Sequence, residues 1–230
     1  MSASAQAKLA VALDVEQLER AVDLARSLQH DVGCFKVGLE LFSAYGPEAV
    51  RAIRPYGDIF LDVKLHDIPT TVGRATRQLA ALGISLMTVH ASGGPAMVAA
   101  AAEAFGTRGR VLAVTVLTSI SAQDRERLGI PDHEDHVPDL AELATDHGAS
   151  GIVCSVTEAP AVRARIGHRP LVVTPGIRPT GFGTDDHATA TTPTAAIDAG
   201  SDLLVVGRPI TQADDPRAAA QAIVAELDAI

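Results

Sequence analysis

Eight short apolar runs, rich in β-branched residues, recur along the chain of 230 residues with amphipathic intervals between most of them. They are LAVALD (9–14), CFKVG (34–38), IFLDVKL (59–65), LMTVHAS (86–92), VLAVTVLTS (111–119), GIVCSV (151–156), LVVTPGI (171–177) and LLVVGRPI (203–210). Helical periodicity marks VEQLERAVDLARSLQ after the first run and TTVGRATRQLAALG after the third. It returns in GPAMVAAAAEAF after the fourth, PDLAELATDHGA after the fifth and PTAAIDAG after the seventh, and DPRAAAQAIVAELDAI closes the chain. Parallel strands need long crossovers, and helices supply them, so this alternation predicts a parallel α/β sheet. Eight units close a (β/α)8 TIM barrel, and the length suits a single barrel domain over 1–230.

A doubly wound open sheet is the alternative. It needs a glycine-rich phosphate turn after the first strand, and VALDVEQ offers an aspartate there and no glycine. The chain has no Trp, two Tyr and five Phe, so the core must be aliphatic, as suits strands buried on both faces. Two stretches lack periodicity. ISAQDRERLGIPDHEDHVPD (120–139) reads as a long loop in which His133 and His136 are solvated rather than metal ligands. PTGFGTDDHATATTP (179–193) reads as a lid, at about 179–191, that closes over a bound phosphate.

The formal net charge of −9 argues against nucleic acid or an anionic membrane as a partner, while leaving room for a small anion held by local Arg and Lys. No apolar run reaches the length of a membrane span, and MSASAQAK carries no long apolar segment, so a cytoplasmic protein is expected. Cys34 and Cys154 lie in apolar runs without metal-ligand spacing and read as reduced core thiols.

In such a barrel the chemistry gathers where strands end and the following loops begin. Asp14 ends the first run, Lys36 lies in the second, and Asp62, Lys64 and Asp67 end the third. His90 and Ser92 close the fourth, Thr118 and Ser119 the fifth, Arg178 follows the seventh, and Gly207 and Arg208 end the eighth. Charge at so many strand ends is the informative observation. VTPGIRP and VVGRPI each finish an apolar strand with glycine, then arginine and proline, which fits a phosphate cup of backbone N–H groups clamped by Arg208. Two surface arginines after tight turns are the bland reading.

In DVKLHDIPTT (62–71), Asp62 and Lys64 are two apart on a strand and share one face, the barrel interior, with Val63 and Leu65 toward the helices. Lys36 on the neighbouring strand can lie alongside, and an Asp–Lys pair with a second Lys can be balanced enough to bury. A structural ion-pair network without chemistry would look the same. Asp67, just before Ile68-Pro69, is equally placed to be a helix N-cap. His66 reads as a supporting residue.

DVKLHDIPTT also matches the DxKxxDI signature of orotidine 5′-monophosphate decarboxylases. So do VALD near the start, FKVG, LTS after the fifth strand, PGIRP and VGRPI, in matching order from end to end, and the chain resembles the bacterial monofunctional type. The resemblance implies a (β/α)8 homodimer that converts orotidine 5′-monophosphate to UMP and CO2, the last step of de novo pyrimidine biosynthesis, with no metal and no cofactor. It implies catalytic roles for Lys36, Asp62, Lys64 and Asp67, with Lys64 stabilising and then protonating a C6 carbanion. It implies ribose contacts from Asp14 and Lys36, further substrate contacts from Ile68 and Thr71, and a pyrimidine contact from Thr118. The 5′-phosphate falls to Arg178, Gly207 and Arg208. Asp67 and Thr71 are expected to serve the neighbouring subunit's site.

One position departs from the pattern: the lid has DDH where relatives usually have DDQ, so His187 takes the place of a substrate-bridging glutamine. Two other readings stay open. Metal-dependent 3-keto-gulonate-phosphate decarboxylases and hexulose-phosphate synthases share the Asp-x-Lys-x-x-Asp strand but need a carboxylate near the position of Lys36, where a cation disfavours metal. A barrel that only binds nucleotide is the other, and it has no use for both lysines and both aspartates.

Overall fold

All eight apolar runs form strands in the computed structural model, which describes residues 4–131, 134–179 and 191–229. They are β1 (Leu9–Ala12), β2 (Cys34–Gly38), β3 (Asp58–Leu65), β4 (Leu86–His90), β5 (Arg110–Val114), β6 (Gly151–Val153), β7 (Leu171–Thr174) and β8 (Leu203–Val206). Each pairs in parallel with its sequence neighbours and β1 pairs with β8, so the sheet closes as a barrel. The open-sheet alternative is excluded by that last pairing.

Period-2 alternation divides the core. Ala10, Ala12, Cys34, Phe60, Leu112, Val173 and Val205 fill the barrel interior, while Leu9, Val11, Phe35, Val37, Ile59 and Leu61 point outward to the helices. Small alanines on β1 leave room inside for Phe60. The helix Leu18–Leu28 shows the matching periodicity: Ala21, Leu24, Ala25 and Leu28 are buried on one stripe against the outer faces of the strands. Both cysteines are buried free thiols, and burial pushes each up to about 12, which keeps them protonated and inert at neutral pH. No helix among the described residues is long and apolar enough to cross a membrane.

Three readings of the sequence need correction. The stretch 120–139 is not one loop: Ala122–Leu128 is a helix, where the Ser121 hydroxyl accepts from the Asp124 N–H and Gly129 closes it at φ 65°. The Ser-x-x-Asp capping signal was present in the sequence, without an apolar stripe to accompany it. Helices Leu39–Tyr45, Pro47–Ile53 and Ala159–Ile166 also fill intervals where no periodicity stood out, because two turns are too short to display one. Finally, several strands stop earlier than their apolar runs. β5 ends at Val114, β7 at Thr174 and β8 at Val206, where the backbone leaves the ladder to form the loops of one rim.

Candidate active site

Four ionisable side chains form a line across the C-terminal mouth of the barrel. Lys36 Nζ donates to Asp14 Oδ1 at 3.0 Å and faces Asp62 Oδ2 at 3.6 Å, while Lys64 Nζ donates to Asp62 Oδ1 at 2.9 Å. The signs alternate and sum to zero, which is what allows the Lys36 and Asp62 side chains to be 10% and 14% exposed. The β2–β3 ladder sets Gly38 opposite Asp62. A Cβ at position 38 would stand 2.5 Å from Asp14 Oδ1 and 2.9 Å from Lys36 Nζ, so the glycine leaves the space in which that pair meets.

The side chains of Val63 and Leu65 pack outward, as the alternation predicts, and Asp62 and Lys64 both reach the cavity. The strand between them is not regular, however. Leu61 pairs with Met87 and Leu65 with Val89, so β3 bulges against β4, and Lys64 takes φ 50°. It is the single non-glycine residue with positive φ among those described. Such a conformation costs about 1–2 kcal/mol and persists only where surrounding contacts hold it. Side-chain periodicity survives this bulge, but the direction of the lysine depends on it.

Electrostatics follow the geometry. Burial pushes the Asp62 carboxyl up, yet Lys36, Lys64 and hydrogen bonds from Lys64 and Thr88 outweigh it and hold the group below the usual carboxylate range. Asp62 is therefore ionised at neutral pH. His90 ends β4 with its ring 5.3 Å from that of His66. Burial, His66 and the Lys64 charge push His90 below the ordinary imidazole value, against the pull of Asp62, leaving a neutral ring near the lysine.

The charged line forms one wall of a cavity of about 370 Å³. The opposite wall comes from the loops after β7 and β8: Gly176, Ile177, Arg178, Gly207 and Arg208. Arg178 is 8% exposed, and its backbone N–H donates to the Thr191 carbonyl at 3.0 Å, so the two ends of the stretch 179–191 meet beside the cavity. Phe60 and Val153 contribute an apolar floor, and Thr211 and Gln212 a polar edge. These last four were missed in the sequence. Thr211 and Gln212 directly follow the GRPI motif, and Phe60 alternates with Asp62 on β3, so a signal existed for three of them.

One cavity thus gathers Asp14, Lys36, Asp62, Lys64, Arg178, Gly207 and Arg208. It leaves out Asp67, Ile68, Thr71 and Thr118. Asp67 lies in a shallow exposed hollow with His66, Ile68, Pro69, Ser92 and Gly93. Its Oδ1 accepts from the adjacent Ile68 N–H at 2.6 Å, and the residue at the N-cap of helix Pro69–Ala80 is Ile68, so Asp67 is not the cap. Ile68 is 66% exposed, and Thr71 is exposed in the first turn of that helix. Because β5 ends early, Thr118 stands exposed in a turn. His187 and most of the expected lid, like His133, lie outside the described residues. Among the described residues, no group of three or more His, Cys, Asp or Glu is placed to hold a metal ion.

Comparison with known proteins agrees with this architecture. Residues 7–223 match the model of the Orotidine 5′-phosphate decarboxylase / HUMPS family. A protein of Anaeromyxobacter sp. (strain K) named orotidine 5′-phosphate decarboxylase is 51% identical over 222 residues, spanning 96% of this chain and 98% of that one. One of the same name from Thermobifida fusca (strain YX) is 48% identical over 224 residues, 96% of each chain. The crystal structure of orotidine 5′-phosphate decarboxylase from Lactobacillus acidophilus superposes with a TM-score of 0.84 at 39% identity, covering 96% of this chain and 98% of that one. With a family match across most of its length and relatives this similar from end to end, the chain belongs to the orotidine 5′-phosphate decarboxylase / HUMPS family.

Proposed function

We propose that this protein is a carboxy-lyase that converts orotidine 5′-monophosphate to UMP and CO2 in pyrimidine biosynthesis, as a single barrel domain acting without metal or cofactor in the cytoplasm. The observation that carries the reading is the charged line Asp14–Lys36–Asp62–Lys64 facing two Gly–Arg loops across one cavity. A nucleotide offers a phosphate for the second wall and a reacting ring for the first.

The chemistry explains the charges. Breaking the bond from C6 to the carboxylate leaves its electron pair on C6, in an orbital that no adjacent π-system delocalises well. A fixed cation must stabilise that pair, and Lys64 Nζ supplies it, then transfers a proton to C6. Asp62 keeps Lys64 oriented and protonated and faces the departing carboxylate. Lys36 and Asp14 bind the ribose hydroxyls, and Arg178, Gly207 and Arg208 bind the phosphate. Binding energy from the phosphate is used to hold the ring in register with Lys64.

Asp67, Ile68 and Thr71 act in this reading on the site of a second copy in a homodimer. Their exposure, and their separation from the cavity of their own chain, support it. The metal-dependent members of the wider superfamily are disfavoured by Lys36, a cation 3.6 Å from Asp62 where a metal site needs acidic oxygen. The test is the fall in absorbance of orotidine 5′-monophosphate on adding purified protein with EDTA present. Turnover unchanged by EDTA supports the proposal; no decarboxylation, or decarboxylation abolished by EDTA, overturns it.

A further inference from the structure

Thr88 has no role in the reading above, yet its hydroxyl joins two of the residues on which that reading depends. It stands on β4 between Met87 and Val89 and is fully buried. The β3–β4 ladder slips here, since Leu61 pairs with Met87 and Leu65 with Val89. Asp62, Val63 and Lys64 occupy the slip, and the left-handed backbone of Lys64 lies within it. The Lys64 N–H turns to the Thr88 side chain, whose Oγ1 accepts it at 2.9 Å.

A threonine hydroxyl has one proton. With Oγ1 accepting from Lys64, that proton goes to Asp62 Oδ1 at 2.9 Å, a carboxylate oxygen that can only accept. Lys64 Nζ donates to the same oxygen, also at 2.9 Å. The backbone N–H of Lys64, the Thr88 hydroxyl, the Asp62 carboxylate and the Lys64 ammonium therefore close a ring. Both the backbone and the tip of Lys64 are held through one buried hydroxyl. Thr88 itself is not part of the cavity lining and lies behind the side chains that are.

We propose that Thr88 is a positioning residue, whose hydroxyl holds Lys64 in its left-handed turn and Asp62 against the ammonium, so that Lys64 Nζ is aimed at the reacting carbon. The proposal rests on the reading of Lys64 as the cation and proton donor. The competing account is that Thr88 merely satisfies a buried amide, in which case its loss lowers stability and leaves turnover alone.

Two substitutions separate these accounts. Thr88→Val keeps the branched shape and removes the hydroxyl; Thr88→Ser keeps the hydroxyl and removes a methyl. With orotidine 5′-monophosphate as substrate, Thr88→Val is expected to lose about 10- to 100-fold in kcat with KM within about threefold of the parent, because a misaimed group costs rate more than affinity. Thr88→Ser is expected to recover kcat to within about fivefold, since the ring of hydrogen bonds is restored. Parental kcat in Thr88→Val overturns the proposal, as does an equal kcat loss in both variants or a loss carried wholly by KM. If Thr88→Val does not fold, Thr88→Ala set against Thr88→Ser makes the same contrast. Lys64→Ala in the same assay distinguishes the two levels. Turnover at the parental rate removes the reading of Lys64 and this proposal with it. An inactive Lys64→Ala beside a fully active Thr88→Val removes only the role of Thr88.

Discussion

Lys64 Nζ rests 2.9 Å from Asp62 Oδ1, although the two residues are joined by a backbone that leaves the β region at Lys64, with φ 50°. The ion pair is therefore made across a bulge, and its partners are held from outside the strand. Lys36 sits on the other oxygen of Asp62 at 3.6 Å, so one carboxylate serves two cations.

That arrangement has a pH consequence. The folded Asp62 carboxyl lies below its ordinary value of about 3.9, so its stabilising contribution is complete above that value and is lost as pH falls through the lower folded one. Urea unfolding between neutral and strongly acidic pH is expected to show a smaller acid loss of stability in Asp62→Asn than in the parent. Equal acid slopes would mean that Asp62 is not a source of the dependence.

Gly38 predicts a separation of stability from binding. Its φ of −89° is open to alanine, but a Cβ would press on Asp14 Oδ1 and Lys36 Nζ, both at the ends of flexible side chains. Gly38→Ala should therefore melt within a few degrees of the parent while KM for orotidine 5′-monophosphate rises about 10-fold or more, because the Asp14–Lys36 pair, proposed to bind the ribose, is displaced. An unaltered KM would show that the Asp14–Lys36 pair does not contact substrate.

Mixing two singly substituted proteins tests whether Asp67 serves a neighbouring subunit. If Asp67 serves the partner's site, Lys64→Ala and Asp67→Ala chains refolded together in equal amounts form mixed dimers with one intact site each. Random pairing makes half the dimers mixed, so activity should return to about a quarter of the parental level. Recovery no greater than the sum of the two separate variants would assign Asp67 to its own chain.

The resemblance puts His187 where a substrate-bridging glutamine is expected, and a ring nitrogen can donate as an amide does. Activity of His187→Gln is expected within about threefold of the parent, as kcat/KM, since one donor replaces another. A loss of several hundred-fold, on the order of 3–4 kcal/mol, would show a task that glutamine cannot perform.

Much of the site was legible because its residues announce themselves locally. The glycine–arginine pairs after β7 and β8 follow apolar runs directly, and Asp62 and Lys64 interrupt one. What failed to show were features without a pattern of their own. The helix Ala122–Leu128 has a cap but no apolar stripe, and Thr118 belongs to an apolar run that leaves the sheet before reaching it. Thr88 reads in sequence as one more β-branched residue within a strand; its hydroxyl matters only because Asp62 and the Lys64 N–H arrive there from another strand.

By itself the sequence determined the number of strands, their alternation with helices, the aliphatic core and the rim on which charge collects. Those follow from periodicity and punctuation, which act over a few neighbouring residues. Tertiary structure alone decided which charges neutralise one another, since Asp14 meets Lys36 across 22 positions and Thr88 meets Asp62 across 26. It also decided the left-handed turn at Lys64, the space kept by Gly38 and the exclusion of Asp67 and Thr71 from their own cavity. Burial of charge and strain of backbone are settled by whatever the closed barrel brings alongside, and adjacency in the chain does not specify that.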